Sequence, residues 1–120
     1  MLMIRQHKIW GERWIIREDS MHGNYFLKLL RGYRCSWHYH TTKYNLFVVL
    51  WGKIIIITQR EGEPKRETVL LEGNSFLVEP NQFHEFIVCE NSGVIEEMFV
   101  EYDREDIIRL TKGSEHRIEI

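Results

Sequence analysis

Two histidines stand one residue apart in GYRCSWHYHTTKYNLFVVLWGK, residues 32–53. Alternate side chains of an extended strand point to one face, so we expect His38 and His40 to point the same way. Imidazoles at this spacing converge on one divalent transition metal, for which neutral histidine is a good ligand. A third histidine, His84, begins a later strand after a proline-centred turn in EPNQFHEF. A metal site is one interpretation of the pair, and a solvent-exposed polar strand is the other.

The same alternation places Arg34 and Ser36 on the face of the two histidines. A guanidinium inside a barrel needs an anion, so Arg34 is a candidate contact for a phosphate or carboxylate of a ligand. A protein carboxylate, or a bulge near Gly32 that turns the side chain out to water, would satisfy it equally well. Cys35 and Cys89 fall on the outward parity of their strands, which argues against thiolate ligation.

The elements that must position these residues are short apolar runs separated by turn signals. About nine such runs follow one another, and this regular spacing indicates an all-β sandwich or barrel. Trp51 and Gly52 separate two of the runs and predict a tight turn. The segment DREDIIRLTKG predicts one short helix, residues 103–111, with Asp103 as its N-cap and Gly113 as its stop.

Length and composition exclude several classes of protein. A chain of 120 residues favours a single domain, and 43% hydrophobic with 28% charged residues is an ordinary globular balance. A net charge of −2 gives no basic field for nucleic acid. The apolar runs are too short to span a bilayer, and MLMIRQHKIW does not have the pattern of a signal peptide, so we expect a cytoplasmic protein with reduced cysteines.

The histidine stretch resembles the first motif of the cupin superfamily, G-x5-H-x-H-x3,4-E-x6-G. Gly32, His38, His40, Asn45 and Gly52 stand at its positions, with Asn45 in place of the glutamate. The second cupin motif, G-x5-P-x-G-x2-H-x3-N, is matched more loosely. Its first glycine, proline and histidine correspond to residues 73, 80 and 84, with one spacing longer by a residue and one shorter.

The resemblance covers roughly residues 24–102 and implies a small jelly roll, or double-stranded β-helix. It also implies a divalent metal, Zn, Ni, Fe or Mn, held by His38, His40, His84 and the residue at the glutamate position, Asn45. The asparagine is neutral and offers only an amide oxygen, which disfavours hard cations. The nearest charge, Lys43, cannot bind a metal while protonated, and we regard it as a candidate substrate contact.

The last strand, VIEEMFVEY, has one mostly apolar face, interrupted by Glu96, and one more acidic face. If the acidic face lines the lumen, Glu97 and Glu101 are candidate catalytic acids or bases. The alternative is a solvated face. The segment YDREDIIRLTKG resembles the one that closes the barrel in cupin domains of type II mannose-6-phosphate isomerases, which implies a sugar or sugar phosphate as substrate.

Two classes of function follow from these residues. The first is a metal-dependent enzyme, most simply a sugar or sugar-phosphate isomerase, with an Fe²⁺ dioxygenase as a variant. The second is a non-catalytic module that binds a small molecule in the same lumen, which the loss of the glutamate favours. Four tryptophans, several on outward parities, predict a homodimer through one sheet face.

Overall fold

The computed structural model describes residues 3–100. These residues form nine strands, and every strand pairing is antiparallel: β1 (Ile4–Lys8), β2 (Gly11–Glu18), β3 (His22–Leu29), β4 (Tyr44–Trp51), β5 (Lys53–Gln59), β6 (Arg66–Leu71), β7 (Ser75–Val78), β8 (Phe83–Val88) and β9 (Ser92–Phe99). The all-β prediction is confirmed. The predicted helix and Glu101 lie outside the described residues. Within residues 3–100, no helix has the length and apolarity needed to cross a bilayer.

The strands form two sheets that face each other. The larger sheet has six strands in the order β1-β2-β3-β9-β4-β7, and the smaller has three in the order β6-β5-β8. Buried apolar side chains from both inner faces make the core: Tyr25, Leu27, Leu29, Phe47, Val49, Ile54, Ile56, Leu70, Val78, Phe86, Val88 and Val94. Burial of this apolar surface supplies most of the driving force that holds the sheets together.

Strict alternation in β4 and β8 decides which residues face the other sheet. Buried and partly buried residues alternate along both strands. The sequence predicts that Phe47 and Val49 point into the core, because they alternate in step with residue 45 on β4. It predicts the same of Phe86 and Val88, which alternate in step with residue 84 on β8. All four are buried, at most 4% exposed, so this prediction is confirmed.

The stretch at residues 32–38 is not a regular strand, yet it pairs with β8. The backbone of Gly32 donates to Val88, and His38 and His84 exchange two backbone hydrogen bonds. Arg34 bridges Ile87 while His38 bridges His84, so four residue steps on one side oppose three on the other. This mismatch is a β-bulge, and a bulge reverses the facing of the side chains on its two sides.

The predicted turn at Trp51 and Gly52 carries the chain from one sheet to the other, because β4 lies in the larger sheet and β5 in the smaller. Gly52 has a positive φ of 95°, a backbone angle that residues with a Cβ adopt only at a cost in free energy. A Cβ at this position would also collide with the hydroxyl of Ser92. That hydroxyl accepts a hydrogen bond from the backbone of Lys53, 3.0 Å away, so the corner is closely packed.

We expect Gly52→Ala to lower the free energy of unfolding by more than Gly62→Ala. Both glycines have a positive φ, but a Cβ at residue 62 meets no atom within 4 Å, so Gly62→Ala isolates the backbone cost, about 1 kcal/mol. Gly52→Ala adds the collision with Ser92. Urea denaturation of both variants measures the difference, and equal losses would contradict the packing described at this corner.

Candidate functional site

Three imidazoles from two distant segments converge between the sheets. The ring centroids of His38 and His84 are 4.3 Å apart, those of His38 and His40 5.2 Å, and those of His40 and His84 5.5 Å. Each ring offers one nitrogen such that the three atoms all lie within 4.8 Å of one another. The sequence prediction that these side chains meet is therefore confirmed in its geometry.

Aromatic residues that alternate with His38 and His40 pack on the outside and so direct the two histidines inward. The rings of Trp37 and Tyr39 both pack on Phe83, with centroids 5.8 and 4.7 Å away. Because residues 37 and 39 face Phe83, the alternating residues 38 and 40 face the space between the sheets. The aromatic residue that precedes His84 in β8 thus helps to fix the segment that supplies the other two histidines.

Backbone carbonyls set the tautomers of two of the rings. Nδ1 of His38 lies 2.8 Å from the carbonyl oxygen of Ser36, and Nδ1 of His84 lies 3.2 Å from that of Gln82. A carbonyl only accepts, so each Nδ1 carries the proton and each Nε2 keeps its lone pair. Such hydrogen bonds on the far nitrogen orient histidines for metal binding.

The electrostatic environment favours neutral rings. Burial lowers the pKa of His84 to about 4, against the raising effect of its hydrogen bond to Gln82, and the other two histidines lower it further. Burial also lowers the pKa of His40, with contributions from His38 and Lys43. A metal needs deprotonated imidazole, so these lowered pKa values favour the form of His40 and His84 that ligation requires.

Asn45, the predicted fourth ligand, is buried on β4 beside this cluster, 1% exposed. Its amide nitrogen lies 3.4 Å from Nε2 of His84 and donates to Oε2 of Glu96 at 3.3 Å. Its Oδ1 is buried without a hydrogen-bond partner among residues 3–100. A 180° turn of the amide would bring the oxygen toward His84, so a ligand role for Asn45 stays a prediction.

The carboxylate in the lumen is Glu96, not Glu97. Glu96 lies on β9 opposite Tyr25 and Phe47, both buried in the core, and it lines the same cavity as His38. Glu97 takes the other face of β9, where its Oε1 lies 3.3 Å from Nε2 of His22. Of the two alternatives for the more acidic face, the structure favours the one outside the lumen, because the mostly apolar face continues the core, and a catalytic role for Glu97 stays a prediction.

Burial gives Glu96 a distinct chemistry. It raises the pKa of the carboxyl above the ordinary value, although Arg13 and the hydrogen bond from Asn45 act in the opposite direction. A carboxyl with a raised pKa is a stronger base when ionised, and its protonated form persists closer to neutral pH, where it can donate the proton. The residue that interrupts an apolar strand face is thus the one with the properties of a catalytic acid or base.

Arg34 does not share the face of the histidines, and here the sequence prediction is wrong. Its side chain is 60% exposed, and its guanidinium lies 4.0 Å from Glu85. The bulge between residues 34 and 38 is the cause, because it turns Arg34 outward and Cys35 inward. Cys35 lines the cavity, contrary to its predicted outward parity, and burial raises its thiol pKa to about 11, so it is protonated at neutral pH.

His38 and His40 line a cavity of about 530 Å³, and the buried ring of His84 packs against both of them. Lys43 lines the cavity next to His40, where the sequence predicted a substrate contact. Arg13 lines it from β2, and sequence reasoning missed this residue. The polar lining is mixed in charge, with three basic and three acidic side chains: Lys8, Arg13, Lys43, Glu18, Asp19 and Glu96.

The donor set fits a divalent transition metal. Three imidazoles, two of them with Nδ1 held by a backbone carbonyl, suit Zn, Ni, Fe or Mn, and they leave room for a ligand oxygen in the cavity. Within the described part of the chain, Glu96 is not close enough to the histidines to belong to this cluster. The charge that the cupin glutamate would supply is therefore replaced by a neutral amide next to a buried carboxyl.

Solved structures of several proteins resemble this chain. KdgF from Halomonas sp. has a TM-score of 0.67 and 23% identity, covering 82% of this chain and 89% of KdgF. The capsular polysaccharide assembling protein CapF from Staphylococcus aureus has a TM-score of 0.70 and 15% identity, covering 88% of this chain and 31% of CapF. Oxalate decarboxylase from Bacillus subtilis, with Mn(II) centres, has a TM-score of 0.73 and 11% identity, covering 90% and 30% of the two chains.

No protein-family model matches the chain, and no curated protein matches it in sequence. At these identities the likeness to solved structures shows the fold alone. The predicted jelly roll is confirmed, and the resemblance to type II mannose-6-phosphate isomerases stays a prediction. The chain has the cupin fold, and three of its histidines lie close enough together to hold a metal ion.

Proposed function

We propose that this chain is a metal-binding cupin that acts on a sugar or sugar phosphate as an isomerase. The observation that carries the proposal is the convergence of His38, His40 and His84 at a cavity that His38 and His40 line. The cavity, about 530 Å³, is of the size that small-molecule sites have. The polysaccharide-assembling role in the name of CapF and the Mn(II) centres of oxalate decarboxylase are consistent with it.

A bound divalent metal would polarise a carbonyl or hydroxyl of the substrate. The three histidines would hold it, and the amide oxygen of Asn45 would be a fourth donor only if the amide turned and released Glu96. Lys43, beside His40, contacts the substrate from the open side of the cavity. Glu101, in the part of the chain that the structure does not describe, stays a prediction as an acid or base.

Glu96 is the residue we assign to proton transfer. In an aldose–ketose isomerisation its carboxylate takes the proton from the hydroxyl-bearing carbon next to the carbonyl, and the resulting carboxyl returns it to the former carbonyl carbon. The hydroxyl proton moves to the former carbonyl oxygen. Burial, which raises its pKa, makes the ionised form a stronger base. The hydrogen bond from Asn45 at 3.3 Å holds one carboxylate oxygen and leaves the other for the substrate.

A second candidate function is binding without turnover. Asn45 favours it, because the residue at the position of the cupin glutamate brings no charge to the metal. The same cavity would then hold a sugar or small anion and release it unchanged. A third, oxygen chemistry at Fe²⁺, would use the same three histidines and is distinguished by O₂ uptake.

We expect protein purified without added metal to carry about one equivalent of a divalent metal per chain. His38→Ala should weaken binding by more than about 100-fold, since even the partners that orient metal ligands contribute 10- to 100-fold. His7→Ala, which removes an exposed histidine of β1, is the control and should bind as the wild type does. Elemental analysis and zinc titration measure this, and no metal in the wild type, or retention by His38→Ala, would sink the proposal.

We expect Glu96→Gln to lower the rate of mannose 6-phosphate isomerisation by about 100-fold or more, the usual contribution of a positioned acid or base. Glu97→Gln is the matched control, because it changes the adjacent residue of the same strand on the opposite face. Metal content should stay the same in both variants. The reverse result, with Glu97 required and Glu96 dispensable, contradicts the assignment, and tight binding without turnover in the wild type supports the binding module.

We also propose a homodimer through the outer face of the larger sheet. Trp14, Phe26 and Trp51 line an apolar hollow there, and Trp51 is 47% exposed. Apolar patches of this kind mark interfaces between copies more often than free surface. Sedimentation velocity should give about twice the chain mass, and it should fall to one chain mass in Ile16→Glu but not in Val69→Glu on the other sheet. A monomeric wild type would contradict this.

A further inference from the structure

An arginine missed by sequence reasoning reaches into the cavity from β2. Arg13 pairs across the strands with Leu27, a buried residue of the inner face, so its side chain starts from the core side of the larger sheet. Its guanidinium carbon stands 3.7 Å above the ring of Tyr25. Tyr25 is in turn opposite Glu96 on β9, so a row of polar groups crosses the inner face from Arg13 toward Asn45.

The charge of Arg13 is poorly matched within the described residues. Its side chain is 23% exposed, and its nearest carboxylate is Glu18, with NH2 and Oε2 3.9 Å apart. That oxygen already accepts a hydrogen bond of 2.6 Å from the hydroxyl of Tyr25. Nε of Arg13 is buried and has no hydrogen-bond partner among residues 3–100. A buried Nε–H without a hydrogen-bond acceptor is costly unless a ligand supplies one.

One neighbouring protein group offers an alternative partner. Gln6 lies directly opposite Arg13 on β1, and its buried Oε1 is also without a partner among the described residues. An amide oxygen would satisfy one donor and would leave the positive charge unneutralised. The stacking on Tyr25 holds the guanidinium plane at the cavity wall, which is how arginine is presented to planar oxyanions.

We propose that Arg13 is the substrate anchor of this cavity, binding an oxyanion, carboxylate or phosphate, of a ligand whose other end lies at the three histidines. This inference rests on the proposed function, that the cavity holds a small-molecule ligand. Arg13 would then make the contact with a phosphate or carboxylate for which Arg34 was the candidate in the sequence. The guanidinium binds either oxyanion through a pair of N–H donors, including the now unpartnered Nε–H.

The test uses zinc-loaded protein and three probes that share a pyranose ring: glucose, glucuronate and glucose 6-phosphate. We expect at least one of the two anionic sugars to bind more tightly than glucose in calorimetric titrations. Arg13→Gln should weaken the binding of that anionic sugar by about 10- to 100-fold and leave the affinity for glucose unchanged. Arg34→Gln, an exposed arginine, is the control and should behave as the wild type. Which sugar responds distinguishes a carboxylate from a phosphate.

A second measurement decides the matter even if Arg13→Gln fails to fold. In wild-type protein the ¹⁵N–¹H signal of the Arg13 Nε–H should shift when the anionic sugar is added and not when glucose is added. If the Arg13 Nε–H signal does not shift with either anion but does shift in the Gln6→Leu variant, Gln6 is the hydrogen-bond partner and the inference is overturned. Equal affinities of wild type and Arg13→Gln, or binding of neither anion, overturn it as well.

Failure of the anchor and failure of the proposed function give different results. A wild type that binds zinc but neither anion removes the role of Arg13 and leaves the metal site standing. A wild type that binds no zinc sinks the proposed function. The same titrations on metal-free protein still show whether Arg13 holds an anion.

Discussion

The backbones of His38 and His84 exchange two hydrogen bonds, of 3.1 and 2.8 Å, and the site depends on this bridge. The bonds bring together two segments far apart in the chain and place their imidazoles side by side. Because the partner strand is β8, which alternates strictly between core and outside, His84 can point only into the lumen. The carbonyls that hold both Nδ1 atoms then leave the Nε2 lone pairs facing one another.

The bridge also explains the distribution of charge in the cavity. The bulge that brings His38 into register with His84 turns Arg34 to water and brings the protonated thiol of Cys35 inside. The charged groups that remain against the core, Arg13 and Glu96, come from the opposite sheet. Charged groups held against an apolar core are unfavourable without full hydrogen bonding, and this is the basis for the proposal that the cavity takes a polar ligand.

The sequence predicts the β-class, the meeting of the three histidines and the inward parity of β4 and β8, because alternation is strict in those strands. It offers a bulge near Gly32 only as one alternative for Arg34, since a bulge depends on pairing with β8 and leaves no mark on residue type. It fails on β9 because both faces carry a glutamate, and only the pairing with Tyr25 and Phe47 shows which face is inside. Arg13 is missed because neither face of β2 is clearly apolar.

The most direct test of the account is a crystal structure of the zinc-loaded protein with anomalous scattering measured at the zinc edge. The account predicts one zinc ion, with Nε2 of His38, His40 and His84 each at about 2.0–2.1 Å from it. A zinc ion bound elsewhere, or an ion that leaves the ring of His84 out of its coordination, would contradict it.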